Sequence, residues 1–343
     1  MKILFELNHP KHFYQFKYVM NILTERNHEV YVVARDKDVL LKVLDENNVQ
    51  YELFGVHRKN IILKYFAIFE ILCSYIQIIS RIKPDIIISK ASFYSVFLSR
   101  FGKCKSIIFP DSEVVTLTNR IVAPMADRVI TPSNFQISFG DKHFRIPGLF
   151  EDCYLHPSVF SSEGYLNDNN DIQKPYVLLR FIGWNANHDL GKSGISEKLK
   201  VDIVNYLKSK YQIFISSEKE LHDDIKQYKI SIAASKIHSL LAGADLYIGD
   251  SQSMAAEAAL LGTPSIRYNS FVGDGDMSNF KILEEKYGLL VNVNIKDNLF
   301  RHIDMLTLPG TKQIWQTKRD NYYKHTGNPN RLIVSCIEGV NKF

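Results

Sequence analysis

The sequence predicts an α/β protein of two doubly wound domains in series, each a parallel sheet wrapped by helices. Three observations carry this. Short runs rich in Ile, Val and Phe alternate with longer stretches of helical periodicity, the pattern of βα repeats. Several of those short runs are apolar almost throughout, as parallel strands covered on both faces must be. The alternation weakens after Pro147, meets a polar Asn/Asp-rich stretch at Ser161–Pro175, and starts again.

The expected strands of the first domain are Lys2–Leu7, Glu29–Arg35, Tyr51–Phe54, Asp85–Lys90, Lys105–Pro110 and Arg128–Pro132. Helical periodicity fills most gaps between them, at Phe13–Arg26, Lys37–Asn47, Ile61–Ile82, Phe93–Phe101 and Leu117–Met125. The second set of strands is Tyr176–Ile182, Gln212–Ser217, Leu246–Asp250, Ser265–Tyr268 and Leu289–Asn294. Gln313–Phe343 reads as helical with a break at Gly327–Pro329. The resulting division is a first domain over 1–150, a linker over 151–175, a second domain over 176–312, and terminal helices over 313–343 that pack back across the domains.

Composition bounds the function classes. Hydrophobic residues make up 45% of the 343 and charged ones 23%, which excludes whole-chain disorder. The four cysteines share no close spacing, so reduced thiols in a cytoplasmic setting are the simplest expectation. A net charge of +5 suits an anionic ligand or membrane surface but does not require nucleic acid. Met1–Glu6 meets an acid at its sixth residue, so no signal peptide is expected. Lys64, Glu70 and Arg81 interrupt the longest apolar stretch, so no membrane span is expected either.

The most informative segment runs from Ala244 to Pro264. A strand ends at Asp250, and the turn Ser251-Gln252-Ser253 opens an alanine-rich helix closed by Gly262. Small residues let an anion approach the exposed amides at a helix start, where the dipole favours negative charge. Glu257, about one turn on, can accept hydrogen bonds from ribose hydroxyls. A plain strand-turn-helix, with Ser251 as cap and Glu257 in solvent, is the alternative.

The run Asp-Ser-x-x-Met-x-x-Glu-Ala-x-x-Leu-Gly-Thr-Pro over 250–264 resembles the nucleotide-binding element of GT-B glycosyltransferases and of UDP-N-acetylglucosamine 2-epimerase. It is most similar to a family of uncharacterised bacterial and archaeal proteins grouped with those enzymes. Further landmarks are Asn8-His9-Pro10-Lys11-His12-Phe13, Asp111-Ser112-Glu113, Asn119-Arg120 to Pro132, and Arg180 to Gly194. The resemblance implies GT-B architecture, two Rossmann-like domains facing a cleft, with a nucleotide sugar held mainly by the second. It matches Glu257 to the ribose-binding glutamate, and Ser251 and Ser253 to the small residues whose amides meet the diphosphate. Gln252 and Met254 lie within the same element. The epimerase pattern has two adjacent glutamates here, whereas Ala256 precedes Glu257 in this chain.

Arg180 and His188 follow the first strand of the second domain and can neutralise a departing diphosphate; a surface loop around a packed Trp184 is the alternative. Arg267, on the strand after Pro264, can reach a phosphate or the sugar. Asp274-Gly275-Asp276 suits a closing loop or an ordinary turn. Ala186-x-x-x-x-Gly191-Lys192-Ser193 fits a relaxed phosphate-loop pattern, but its first glycine is alanine and it starts several residues past the strand.

In the first domain Asn8 and His9 follow the opening strand, on the side expected to face an acceptor. His9 and His12 are three apart, yet no Asp, Glu or Cys nearby completes a metal set. A capping or substrate-orienting role fits both, and His12 also suits a general base because imidazole titrates near neutrality. Asp111 and Glu113 end the fifth strand, where two carboxylates can differ in environment. The resemblance matches Glu113 to a catalytic glutamate; Glu113 is the first choice of general base and Asp111 the second, and an acidic helix start is the alternative. Arg58–Lys83, with Tyr65, Phe66, Phe69 and Tyr75 and a net charge of +4, suits either docking on anionic lipid or a buried crossover helix.

The expectation is thus a metal-independent, cofactor-free glycosyltransferase of surface-polysaccharide assembly. It would take a nucleotide sugar, UDP-linked, and a glycan or lipid-linked acceptor, in the cytoplasm or at the inner membrane surface. A UDP-sugar 2-epimerase and a non-catalytic sugar-nucleotide-binding partner are the alternatives.

Overall fold

The computed structural model describes every residue except 37–38, 57–60, 163–171, 173–174, 185–192, 274 and 343, and only the backbone at 56, 61–69, 234, 297 and 341–342. In it the strand-helix alternation becomes two parallel sheets. The chain divides into one unit of Met1–Tyr154 with Thr326–Phe343, and a second of Leu155–His325.

The first unit holds β1 (Lys2–Leu7), β2 (Glu29–Asp36), β3 (Glu52–Val56), β4 (Ile86–Ser89), β5 (Lys105–Ile108), β6 (Arg128–Pro132) and β7 (His143–Ile146). They lie in the order β3-β2-β1-β4-β5-β6-β7, every pair parallel. β1 explains why both faces are covered. Leu4 joins Val33, Phe54, Tyr75 and Ile79 in one cluster. Phe5, one residue on and therefore on the other face, meets Phe16 at 5.4 Å, and Phe16 meets Phe109 at 4.9 Å. β7 is a strand that the sequence pattern did not reveal: His-Phe-Arg-Ile has no apolar run, and it pairs only along the sheet edge with β6.

Helix Pro10–Glu25 begins as capping chemistry dictates. His9 is the N-cap, its side chain accepts from Lys11 N, and Pro10 stands in the first turn. Helix Ile61–Ile82 turns Ile71, Tyr75, Ile78, Ile79 and Ile82 into the core. That corrects the docking alternative for Tyr75, which is fully buried; the side chains of Tyr65, Phe66 and Phe69 lie outside the described residues. Asn330–Glu338 belongs to this unit too, buried through Ile333, Val334 and Ile337, with Arg26 Nη1 donating to Glu338 Oε2 at 2.7 Å.

The second unit holds β8 (Tyr176–Phe181), β9 (Gln212–Ser217), β10 (Leu246–Gly249), β11 (Ser265–Tyr268) and β12 (Val291–Val293), in the order β12-β11-β10-β8-β9. Helix Thr311–Thr326 closes it, with Trp315 Nε1 donating to Leu289 O at 2.8 Å. Among the described residues no helix is long and apolar enough to cross a membrane. Cys73, Cys104, Cys153 and Cys336 are all free thiols.

Candidate functional site

In open parallel sheets, ligands gather outside the carboxyl ends of the strands where the strand order reverses. That point falls between β1 and β4 in the first unit and between β8 and β10 in the second. The candidate residues cluster at both.

In the first unit, Asn8, His9 and His12 leave the end of β1, Lys90 the end of β4, and Asp111 and Glu113 the end of β5. Asn8 N donates to His12 Nδ1 at 3.2 Å. With Nδ1 accepting, the neutral ring carries its proton on Nε2 and is a donor there; action as a base requires the other tautomer. Burial, then Lys90 and His9, push the His12 pKa well below its ordinary value. Asn8 Nδ2 donates to Glu6 Oε1 at 2.7 Å, and Tyr75 OH to Glu6 Oε2 at 3.2 Å. Burial raises the pKa of this carboxyl, and its hydrogen bonds oppose the rise.

Lys90 is the residue that sequence reasoning missed. Its side chain is only 4% exposed, 3.3 Å from Asp111 Oδ2, with Nζ donating to Gln15 Oε1 at 2.9 Å and lying 4.0 Å over the Phe150 ring. A lysine after a strand of isoleucines gives no signal of this, because its partners come from three other segments. Desolvation by the surrounding protein works to raise the Asp111 pKa, but Lys90, then Lys11 and His12, outweigh it and hold the carboxyl below its ordinary range. Lys11 Nζ also pairs with Glu151 at 2.9 Å. Glu113 Oε1 accepts weakly from Gln136 N at 3.4 Å, and its loop is clamped by Asn119 Nδ2, which donates to Ser112 O and Glu113 O at 3.1 and 2.9 Å. Asn119 sits in a π-helical turn, Thr118–Val122, a form often found beside functional sites.

In the second unit Asp250 is the hub. Its carboxylate accepts from Ile182 N at 2.9 Å, Trp184 Nε1 at 3.0 Å and Ile195 N at 3.2 Å, so one buried acid ties these three residues to the end of β10. Burial raises its pKa despite these bonds. Gly194 is required there, since a Cβ would come within 2.2 Å of Asp250 Oδ2 and 2.3 Å of Trp184 Nε1.

Ser251 caps helix Gln252–Leu260 by accepting from Met254 N at 3.4 Å, and Gln252, Ser253 and Met254 form its half-exposed first turn. Glu257 is buried, its Oε1 3.4 Å from His238 Nε2. Ala256 is fully buried, so a second carboxylate at that position would sit in the core. Tyr247, also missed from sequence, brings its hydroxyl among Ser251, Arg180, Asp250 and Glu257, and burial raises its pKa well above the ordinary value. Gly249 permits this: a Cβ there would meet Tyr247 OH at 2.4 Å.

The two arginines are committed elsewhere in this arrangement. Arg180 donates to Ser216 Oγ at 2.9 Å and pairs with Glu218, whose other oxygen accepts from Gly183 N at 2.8 Å. Arg267 is fully buried, paired with Asp276, donating to Asn292 Oδ1 at 2.7 Å and stacked 3.7 Å from the Phe280 ring centre. His188, the phosphate-loop-like stretch up to Lys192, and Asp274 lie outside the described residues. Among the described residues no group of three or more His, Cys, Asp or Glu is clustered to hold a metal ion.

Comparison with known proteins agrees with this architecture. A 94% span of the chain is 24% identical to an uncharacterized protein, MJ0665, of Methanocaldococcus jannaschii, covering 99% of it. A 59% span is 24% identical to a UDP-N-acetylglucosamine–N-acetylmuramyl-(pentapeptide) pyrophosphoryl-undecaprenol N-acetylglucosamine transferase of Clostridioides difficile, covering 52% of that protein. Among solved structures, UDP-GlcNAc 2-epimerase of Neisseria meningitidis bound to UDP-GlcNAc superposes with a TM-score of 0.69 at 14% identity, covering 98% of this chain and all of that one. MurG of Acinetobacter baumannii gives 0.61 at 15% identity with both chains fully covered. The fold is of the GT-B class, two Rossmann-like α/β units. The family model described as "Protein of unknown function (DUF354)" matches residues 1–286, and the chain belongs to that family.

Proposed function

We propose that this DUF354 protein is a glycosyltransferase that moves a sugar from a nucleotide sugar, UDP-linked, to a hydroxyl of a glycan or lipid-linked acceptor, without a bound metal. Its setting is the cytoplasm or the inner membrane surface, in assembly of a surface polysaccharide. One observation carries the reading: helix Gln252–Leu260, capped by Ser251, opens directly from the end of β10 at the point where the strand order reverses, and carries Glu257 as a buried carboxylate. Amides at that helix start, with the hydroxyls of Ser251 and Ser253, suit a diphosphate, and Glu257 suits ribose hydroxyls. Gln252, Met254, His188 and Arg180 complete the donor side, Arg180 after exchanging Glu218 for the ligand. Arg267 holds the strand beneath it.

On the acceptor side Asn8 and His9 orient the hydroxyl and Glu113 takes its proton. Asp111 is the second candidate base, held ionised by Lys90, and His12 offers Nε2–H to a developing negative charge. The similarity of solved UDP-GlcNAc 2-epimerases over nearly the whole chain favours a second reading, an epimerase of the same donor class.

The deciding experiment is thermal shift with UDP, GDP, CMP and dTDP sugars, followed by product NMR on any hit. The transferase reading expects a stabilising sugar that stays unchanged without acceptor. Glu257→Ala should abolish the shift, and Glu113→Ala should keep it while cutting transfer by roughly a hundredfold or more. A hit converted to its epimer establishes the second reading. Failure of every donor to stabilise the protein removes both.

A further inference from the structure

Helix Phe93–Gly102 follows β4, and the segment 111–125 follows β5, so both leave the carboxyl edge of the first sheet next to Lys90 and Asp111. Their inner faces are well packed: Val96 shares one cluster with Val122, Ala123 and Ala126, and Arg100 Nη2 donates across to Met125 O at 2.7 Å. Their outer faces are not polar, as solvent-facing helices ordinarily are. Phe101 is 71% exposed, Leu117 60%, Val114 55%, Ile121 46% and Phe93 43%. Phe93, Phe97 and Phe101 follow each other at helical spacing as a ridge, with ring centres 5.5 and 5.0 Å apart. Large apolar side chains gathered in this way mark a surface that is covered in use.

The charge around them decides by what. Over 93–103 and 114–125 the charged residues are Arg100, Lys103 and Arg120, all exposed; the acids Asp111 and Glu113 stand at the start of the second segment, Asp111 paired with Lys90. Aromatic and aliphatic side chains amid basic ones fit the boundary of a bilayer with anionic headgroups, where the rings enter the interface and the cations meet phosphate.

We propose that this ridge, Phe93, Phe101, Val114, Leu117 and Ile121 with Arg100, Lys103 and Arg120, docks the first unit on an anionic lipid surface. It is a different surface from helix Ile61–Ile82, of whose described side chains Ile71, Tyr75, Ile78, Ile79 and Ile82 are buried in the core. It deepens the transferase reading, and rests on it only in this: a unit docked by this edge presents Asp111 and Glu113 to an acceptor carried on lipid.

The test is sedimentation of the full-length protein with vesicles of phosphatidylcholine alone and of phosphatidylcholine mixed with phosphatidylglycerol. The wild type is expected to sediment with the anionic vesicles and far less with the neutral ones. Phe101→Ser combined with Leu117→Ser should lower the bound fraction by roughly tenfold or more. Lys103→Glu with Arg120→Glu should abolish the preference for anionic lipid. These side chains are exposed, so unchanged melting curves will confirm that the variants fold. Absence of vesicle binding, or binding indifferent to both pairs of substitutions, overturns the inference. So does a wild type that forms dimers in sedimentation velocity while Phe101→Ser with Leu117→Ser is monomeric, since the cover is then a second copy of the chain. Binding of a nucleotide sugar without vesicle binding removes this inference alone; vesicle binding without any nucleotide sugar removes the transferase reading alone.

Discussion

At the carboxyl ends of its two sheets the chain uses opposite materials. The first unit gathers titratable side chains, His12, Lys90, Asp111 and Glu6, and ties them to one another and to Lys11, Asn8 and Gln15. The second ties two backbone amides, of Ile182 and Ile195, and the Trp184 indole to one buried acid, Asp250. A web of mutually perturbed charges sets protonation states, which is what proton transfer needs. A hub of amides closed tightly around Gly194 sets shape, which is what the proposed donor binding asks of this unit. On the proposed function, the contrast is a division of labour between units.

The largest effects should come from breaking the hub. Asp250→Ala leaves three N–H donors without their acceptor, and at about 1–3 kcal/mol for each unsatisfied group, partly recovered by water, the loss should be about 3–5 kcal/mol. Chemical denaturation measures it; a loss under about 1 kcal/mol means that Ile182, Trp184 and Ile195 do not depend on Asp250. Gly194→Ala comes next at about 1–3 kcal/mol from forced displacement of Trp184, whereas Gly275→Ala, with open space around it, should be near neutral. Equal effects at the two glycines would deny the close packing of the hub.

Breaking the web should show in pH dependence rather than in a large constant. Because Asp111 is held below its ordinary value in the folded protein, the unfolded chain takes up that proton first as pH falls. Its contribution is present above about pH 3.9 and is lost as pH drops toward the depressed folded value. Removing the ion pair with Lys90→Met should flatten this, so acid titrations of wild type and variant should converge below about pH 4 and separate above it. Parallel curves would mean that the pair does not govern Asp111.

The smallest effect is spectroscopic. The His12 ring resonance should show no protonation step between about pH 5 and pH 8, because burial, then Lys90 and His9, favour the neutral ring. As its folded pKa lies below the unfolded one, its neutral burial costs stability as pH falls under about 6.5. In Lys90→Met the step should move upward; a step near the ordinary value in the wild type would remove the web from the account.

The second candidate cluster was the more legible of the two. Ser251, the small first turn and Glu257 are contiguous in the chain, and strand-turn-helix chemistry is local, so their spacing alone points to them. Tyr247 was not legible, because the placement of its hydroxyl depends on the missing side chain of Gly249 two residues on and on Arg180 from another strand. Arg267 illustrates the converse: its residue type suggested a phosphate, and its surroundings from Asp276, Phe280 and Asn292 turn it inward. In the first unit Lys90 could not be picked out among the chain's lysines, since its meaning lies in Asp111, Gln15 and Phe150, twenty to seventy-five positions away.

The sequence by itself determined the two runs of parallel strands, most of their bounds, and the helix start that Ser251 caps, because apolar periodicity and capping act over a few residues; the first helix, expected from Phe13, starts at Pro10. Only the tertiary structure decided β7, the assignment of Asn330–Glu338 to the first unit, the engagement of the two arginines and the buried state of Lys90. Each of those turns on electrostatics and burial among residues distant in the chain, and burial is a property of what surrounds a side chain rather than of the side chain itself.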